Sequence, residues 1–168
     1  MTQASKQSLL NLLSQEVRQE IDHWIEKYPV EQKQSAVMAA LRIVQENNEG
    51  YLTEPLMNAV AEYLDMPRIA VYEVATFYSM YEHQPVGRHK IGVCNSISCM
   101  LNGSQELLGH LQNKLDVKLG EVTADGKFSI KEVECLGACV GAPAVMIGKQ
   151  YYENLTPEEI DKILEELD

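Results

Sequence analysis

Apolar side chains recur at helical spacing along the first half of the chain. Over residues 7–28 they repeat every three or four positions, and Pro29 closes the segment. The same pattern predicts helices over residues 31–47, over a segment capped by Thr53, and over residues 67–81 with Pro67 in the first turn. These four segments predict a four-helix bundle over residues 1–85. Because the fourth segment is apolar on most sides, we expect it to be central or covered by a partner.

The pattern changes after residues 82–88, which Pro85 and Gly87 mark as a linker. A short strand is predicted over residues 89–93, a helix over 104–115, and an alternating strand over 128–133. A hairpin follows over residues 144–152, and Thr156 with Glu159 forms a capping box that begins a last helix. Residues 86–168 are therefore predicted to form a small α/β domain, which makes the whole chain α+β.

Charge and hydropathy exclude several classes of function. The formal net charge is −11, spread over both halves, so binding to nucleic acid or to anionic lipid is not expected. The longest apolar run is too short to cross a bilayer, and the first residues do not resemble a secretory signal. We expect a protein without direct membrane insertion. Since no dinucleotide-binding fingerprint or P-loop is visible, NADH and flavin should bind elsewhere.

The chemistry of the chain is concentrated in four cysteines of the second half. Four residues separate Cys94 from Cys99, 35 separate Cys99 from Cys135, and three separate Cys135 from Cys139. Each pair follows a predicted strand, so both could lie at one edge of the sheet. Two short pairs without a secretion signal are typical of a metal site rather than of structural disulfides.

The spacing leaves the metal open. A 2Fe–2S cluster takes two cysteine sulfurs on each iron, whereas structural zinc takes four donors around one ion and more often uses pairs two residues apart. Cysteines without a ligand remain a third possibility. Backbone amides would stabilise the charge of a cluster, and Gly137, Gly141 and Gly103 would let the backbone approach it with positive φ.

Four segments resemble one known family. They are Cys94 to Gly103, Asp125 to Phe128, Val133 to Cys139, and Ala142 with Pro143. These residues are similar to the small 2Fe–2S subunit of NADH-quinone oxidoreductase, which is respiratory complex I. The resemblance extends from about residue 15 to the C-terminus and favours an iron–sulfur site over zinc.

The resemblance implies a thioredoxin-like fold for residues 86–168 and a helical N-terminal domain that docks on a partner. That partner is a flavoprotein subunit carrying FMN and the NADH site, within a complex on the inner, cytoplasmic face of the cell membrane. By position, Cys94 and Cys99 hold one iron and Cys135 and Cys139 the other. The cluster accepts an electron from reduced FMN, so the chain is a subunit of an enzyme rather than an enzyme alone.

Three alternatives and one departure stay open at this point. NAD-linked formate dehydrogenases and NAD-reducing hydrogenases contain similar subunits. A zinc-stapled adaptor or a free-standing ferredoxin would also use the cysteines. Many relatives have proline before the second cysteine, where this chain has Ser98, so the loop is either less rigid or bonded through the hydroxyl to a cluster sulfur. The scattered histidines His23, His83, His89 and His110 are expected at the surface or at caps.

Overall fold

The computed structural model of the chain describes residues 8–167. It contains two compact units, one ending at Pro85 and the other beginning at Val86. The first is helical and the second combines helices with a sheet, each around its own apolar core. The predicted α+β class is therefore confirmed. Within the described residues, no helix has both the length and the apolar character needed to span a membrane.

Four α-helices and one 3-10 segment form the first unit. The 3-10 segment spans Val30–Ala36 and leads into the second helix. The hydroxyl of Ser14 accepts the N–H of Val17 and that of Thr53 accepts the N–H of Leu56, so both side chains are N-caps. The helices are α1 (Gln15–Ile25), α2 (Val37–Glu46), α3 (Glu54–Leu64) and α4 (Arg68–Phe77).

The simple four-helix bundle is not confirmed, because three predicted segments are interrupted or shorter. The predicted start at Gln7 lies outside the described residues, and residues 8–10 form a separate helical turn before the Ser14 cap. Gln32 (φ −112°, ψ 30°) is not helical, which makes the start of the second segment 3-10. The fourth helix ends at Phe77 instead of Tyr81, because Tyr78 is extended (φ −88°, ψ 118°).

The buried faces of these helices meet in one core. Its largest fully buried side chains include Ile21, Leu41, Ile43, Val60 and Val71. Helix α4 buries Val71 and Ala75 but leaves Phe77 80% exposed. Only one side of this helix is therefore covered within its own unit, so the expectation of a central helix was wrong.

The second unit is a four-stranded sheet with helices along its crossover and at its end. Strand β1 is parallel to β2, whereas β3 is antiparallel to both β1 and β4, in the spatial order β2-β1-β3-β4. The strands are β1 (His89–Cys94), β2 (Phe128–Val133), β3 (Val145–Ile147) and β4 (Gln150–Tyr152). The helices are α5 (Ile97–Leu101), α6 (Ser104–Leu115) and α7 (Pro157–Glu166).

Helix α6 supplies the crossover from β1 to β2 and packs against both strands. Leu107, Leu111, Ile91, Ile130 and Ile160 are fully buried between the strands and the helices. Thr156 and Glu159 form the predicted capping box of α7, with both reciprocal hydrogen bonds present. This core fixes the strand ends that carry the cysteines.

Candidate metal centre

The sheet brings the two cysteine segments to one edge. Cys94 is the last residue of β1 and lies opposite Val133, the last residue of the parallel strand β2. Cys135 follows shortly after that strand, and the N–H of Cys94 donates to the carbonyl of Ala144, just before β3. The two loops therefore start from neighbouring strand ends, in agreement with the prediction from the sequence.

The four thiols divide into a buried pair and an exposed pair. Cys94 and Cys99 are each 2% exposed and pack with Ala144, while Cys135 and Cys139 are exposed. Cys99 is buried because it lies in α5, a five-residue helix that the sequence pattern did not predict. All four cysteines are free thiols, so each sulfur is available as a ligand.

The buried pair is in direct contact. Cys94 and Cys99 are joined by a thiol hydrogen bond, and Cys139 lies near enough for its charge to act on Cys99. Within residues 8–167, no three cysteine, histidine or carboxylate side chains share one ready-made coordination shell. A 2Fe–2S cluster uses ligands in pairs, two sulfurs on each iron.

Backbone N–H groups point at these sulfurs. Burial raises the pKa of Cys94, but hydrogen bonds from the N–H groups of Leu136 and Ser96 and from the Ser96 hydroxyl outweigh it and leave that pKa below its ordinary value. Burial raises the pKa of Cys99, with the neighbouring sulfurs adding to the effect, while the N–H of Ala144 opposes it. The first sulfur is thus the better-stabilised thiolate.

The glycines serve the site in different ways. Gly137 has φ +76°, and its N–H donates to Cys135 Sγ at 3.3 Å. Gly103, just before α6, has φ +92°. For Gly141 the expectation of positive φ was wrong, because it lies in the 3-10 turn Cys139–Gly141. It is required for space instead, since a Cβ there would collide with the side chain of Glu153.

Two serines contact the cysteine loops. The Ser98 hydroxyl donates to the backbone carbonyl of Cys139 at 3.4 Å rather than to a sulfur. The Ser96 hydroxyl reaches the sulfur of Cys94, a contact that sequence reasoning missed. The available signal was a serine two residues after a cysteine, a spacing at which side chains often bond locally.

The donors present fit an iron–sulfur cluster. The set consists of four thiols, and at least four backbone N–H groups are directed at three of the sulfurs. Thiolates are the ligands that iron–sulfur clusters take, and N–H donors stabilise their negative charge. The surrounding side chains Leu136, Ala138 and Ala142 are apolar and partly buried, which leaves room and lowers the local polarity.

Comparison with known proteins supports the same chemistry. Residues 21–168 match the sequence model of the family described as thioredoxin-like [2Fe-2S] ferredoxin. The chain belongs to the thioredoxin-like [2Fe-2S] ferredoxin family. Membership supports a 2Fe–2S cluster as the cofactor and confirms the thioredoxin-like fold predicted for the second unit.

Full-length relatives in this family are named for one complex, NADH-quinone oxidoreductase, in which the matching component is designated E. The chain is 48% identical to that component from Rickettsia bellii, over 85% of this chain and 86% of the relative. It is 42% identical to the component designated E 2 from Rhizobium meliloti, over 89% of this chain and 87% of the relative. These similarities include most of both structural units.

A solved structure shares the fold. An NAD+-reducing [NiFe]-hydrogenase in the H2-reduced state matches with a TM-score of 0.66 and 22% sequence identity. The match covers 78% of this chain but only 22% of that much longer chain. At this identity the likeness concerns the fold alone.

Proposed function

We propose that this chain is the 2Fe–2S electron-transfer subunit of an NADH:quinone oxidoreductase. The observation that carries the proposal is the meeting of both cysteine loops at one sheet edge, with N–H groups directed at their sulfurs. Identity of 42% and 48% to proteins named as components of NADH-quinone oxidoreductase supports this complex in particular. The chain would act as part of an enzyme, without catalytic residues of its own.

The proposed ligands are Cys94 and Cys99 on one iron and Cys135 and Cys139 on the other. The contact between the first two thiols supports their assignment to the same iron. The exposure of the second pair places the other iron nearer to the surface. When bound, the cluster supplies reversible one-electron transfer.

The surrounding residues set how easily an electron is taken up. The N–H groups of Ser96, Leu136, Ala144 and Gly137 stabilise added negative charge and so raise the reduction potential. Burial of Cys94 and Cys99 and the net charge of −11 act in the opposite direction. The potential is the balance of these contributions.

The electron donor in this proposal is reduced FMN on a flavoprotein partner, which also binds NADH. An apolar rim supports contact near the cluster, because Ile97, Leu101 and Val140 are 72%, 77% and 103% exposed beside the cysteines. In the first unit, exposed Ile69, Phe77 and Met80 support the predicted docking role of residues 1–85. The complex would hold the chain peripherally at the inner, cytoplasmic face of the cell membrane.

The equivalent component of an NAD-reducing hydrogenase is the second candidate. The shared fold favours the same type of module there, and formate dehydrogenase remains a related possibility. A zinc adaptor explains the cysteines less well, since the family is a ferredoxin family. A free-standing ferredoxin leaves the first unit without a role.

Affinity purification of the tagged full-length chain from native membranes tests the proposal. We expect co-purification of an FMN-containing, NADH-oxidising protein together with quinone-reducing membrane proteins. Recovery of nickel-containing hydrogenase proteins or of formate dehydrogenase proteins would assign the chain to another complex. Recovery of the chain alone, carrying its cluster, would support the free ferredoxin and overturn the proposal.

A further inference from the structure

The two cysteine loops are tied together through Ser98. This residue lies in α5, next to Cys99, and its hydroxyl donates to the carbonyl of Cys139 at 3.4 Å. The two residues are 41 positions apart in sequence, so the bond joins separate loops. At this length it is weaker than an ordinary hydroxyl bond, which spans about 2.7–2.8 Å.

Both ends of this bond are held by other contacts. The side-chain amide of Asn102 donates to the carbonyl of Ser98 at 2.7 Å, which fixes the backbone that carries the hydroxyl. On the other loop, the N–H of Asn154 donates to the carbonyl of Gly141 at 2.7 Å. The contact between Ser98 and Cys139 therefore lies between two anchored backbone segments.

Cys139 is the ligand that gains from such a tie. Cys99 is held by burial, at 2% exposure, whereas Cys139 is exposed and begins a short 3-10 turn. A ligand on an exposed turn has less packing to keep its sulfur in position. A bond to its own carbonyl limits the movement of the backbone that carries the sulfur.

We propose that Ser98 is a positioning residue, which holds Cys139 against the loop of Cys99 and so slows loss of the cluster. The inference rests on the proposed function, because it needs a cluster bound by both loops. Proline at this position has no hydroxyl and could restrain only its own loop through its fixed φ. Ser98 adds a restraint between the loops.

Three variants of the full-length chain test the role of the hydroxyl. Ser98→Ala removes it, Ser98→Thr keeps it, and Ile97→Ala changes the adjacent, 72% exposed position as a matched control. Each protein, purified anaerobically, is challenged with a ferrous-iron chelator while visible absorption is followed. The reduced-state EPR spectrum is recorded before the challenge.

We expect Ser98→Ala to lose its cluster about twofold to tenfold faster than wild type, the range for one neutral hydrogen bond. Ser98→Thr and Ile97→Ala should stay within about twofold of wild type, and only Ser98→Ala should show a changed EPR line shape. Equal bleaching rates for wild type and Ser98→Ala would overturn the inference, as would failure of Ser98→Thr to restore the rate.

The outcome is separable from that of the proposed function. Iron and sulfide in the wild-type protein, measured before any challenge, test the cluster itself. If wild type holds its cluster and Ser98→Ala bleaches at the same rate, the positioning role fails while the electron-transfer function stands. If wild type contains no iron and sulfide, both fail.

Discussion

At the scale of single residues, the site balances burial against hydrogen bonding. Burial alone disfavours a thiolate, yet the pKa of Cys94 is lowered because N–H groups of Ser96 and Leu136 donate to its sulfur. The pKa of Cys99, with less compensation, is raised. The backbone conformation of each loop therefore controls how well it carries charge.

Gly137 offers the most direct test of this amide support. Gly137→Pro removes the N–H that donates to Cys135 Sγ at 3.3 Å, and proline cannot adopt the φ of +76°. We expect a lower iron and sulfide content per chain and faster bleaching in air. Chemical analysis of the purified variant measures both iron and sulfide.

Gly137→Asn is the matched control, because asparagine keeps the N–H and tolerates positive φ. Its cluster content should stay close to that of wild type. Unchanged iron and sulfide in Gly137→Pro would argue against amide support at this position.

The positions of the ligands could be predicted from spacing, whereas their surroundings could not. Two short cysteine pairs after strand-like segments were enough to propose Cys94, Cys99, Cys135 and Cys139 together. The Ser96 contact depends on side-chain direction, and the role of Gly141 depends on Glu153, which approaches only in the folded chain. Neither has a periodic signature in the sequence.

At the scale of elements, prediction succeeded where apolar spacing was sustained. Helix α6 and strand β2 have the predicted bounds, Ser104–Leu115 and Phe128–Val133. Helix α5 was missed because five residues, Ile97–Leu101, are too few to show a period, and most of their apolar side chains are exposed. The missed helix is the one that buries Cys99.

Helices α6 and α7 are linked by an ionic group around Asp161. Its carboxylate accepts from His110 Nε2 at 2.7 Å and from Lys114 Nζ at 3.0 Å. The hydrogen bond from His110, followed by that from Lys114, holds the pKa of Asp161 below its ordinary value. This group stabilises the packing of the second unit wherever the carboxylate is ionised.

Asp161→Asn should therefore lower the free energy of unfolding in a pH-dependent way. Because the folded-state pKa is depressed, the wild-type advantage is present above the unfolded value of about 3.9 and is lost as pH falls through the folded pKa. These side chains are partly exposed, so we expect less than about 1 kcal/mol. Urea unfolding at several pH values measures the difference.

A double-mutant cycle provides the control for this prediction. In a His110→Gln background, Asp161→Asn should cost less, because the stronger of its two partners is already gone. A difference between wild type and Asp161→Asn that stays constant from neutral pH to below the unfolded pKa would contradict the ionic account.

At the scale of the whole molecule, the chain combines a helical unit with a family-defined redox unit. The second contains every cysteine, while the first exposes apolar side chains at Ile69, Phe77 and Met80. A net charge of −11 makes nucleic acid an unfavourable partner and disfavours further negative charge on the cluster. These properties suit a protein that exchanges electrons within a larger assembly.

The central claim is that four cysteines hold one 2Fe–2S cluster. Iron and acid-labile sulfide analysis of the anaerobically purified full-length chain tests it most directly. We predict about two irons and two sulfides per chain, with at least half of both lost in Cys94→Ser and in Cys135→Ser. About one zinc per chain without sulfide, or full iron and sulfide in either serine variant, would contradict the account.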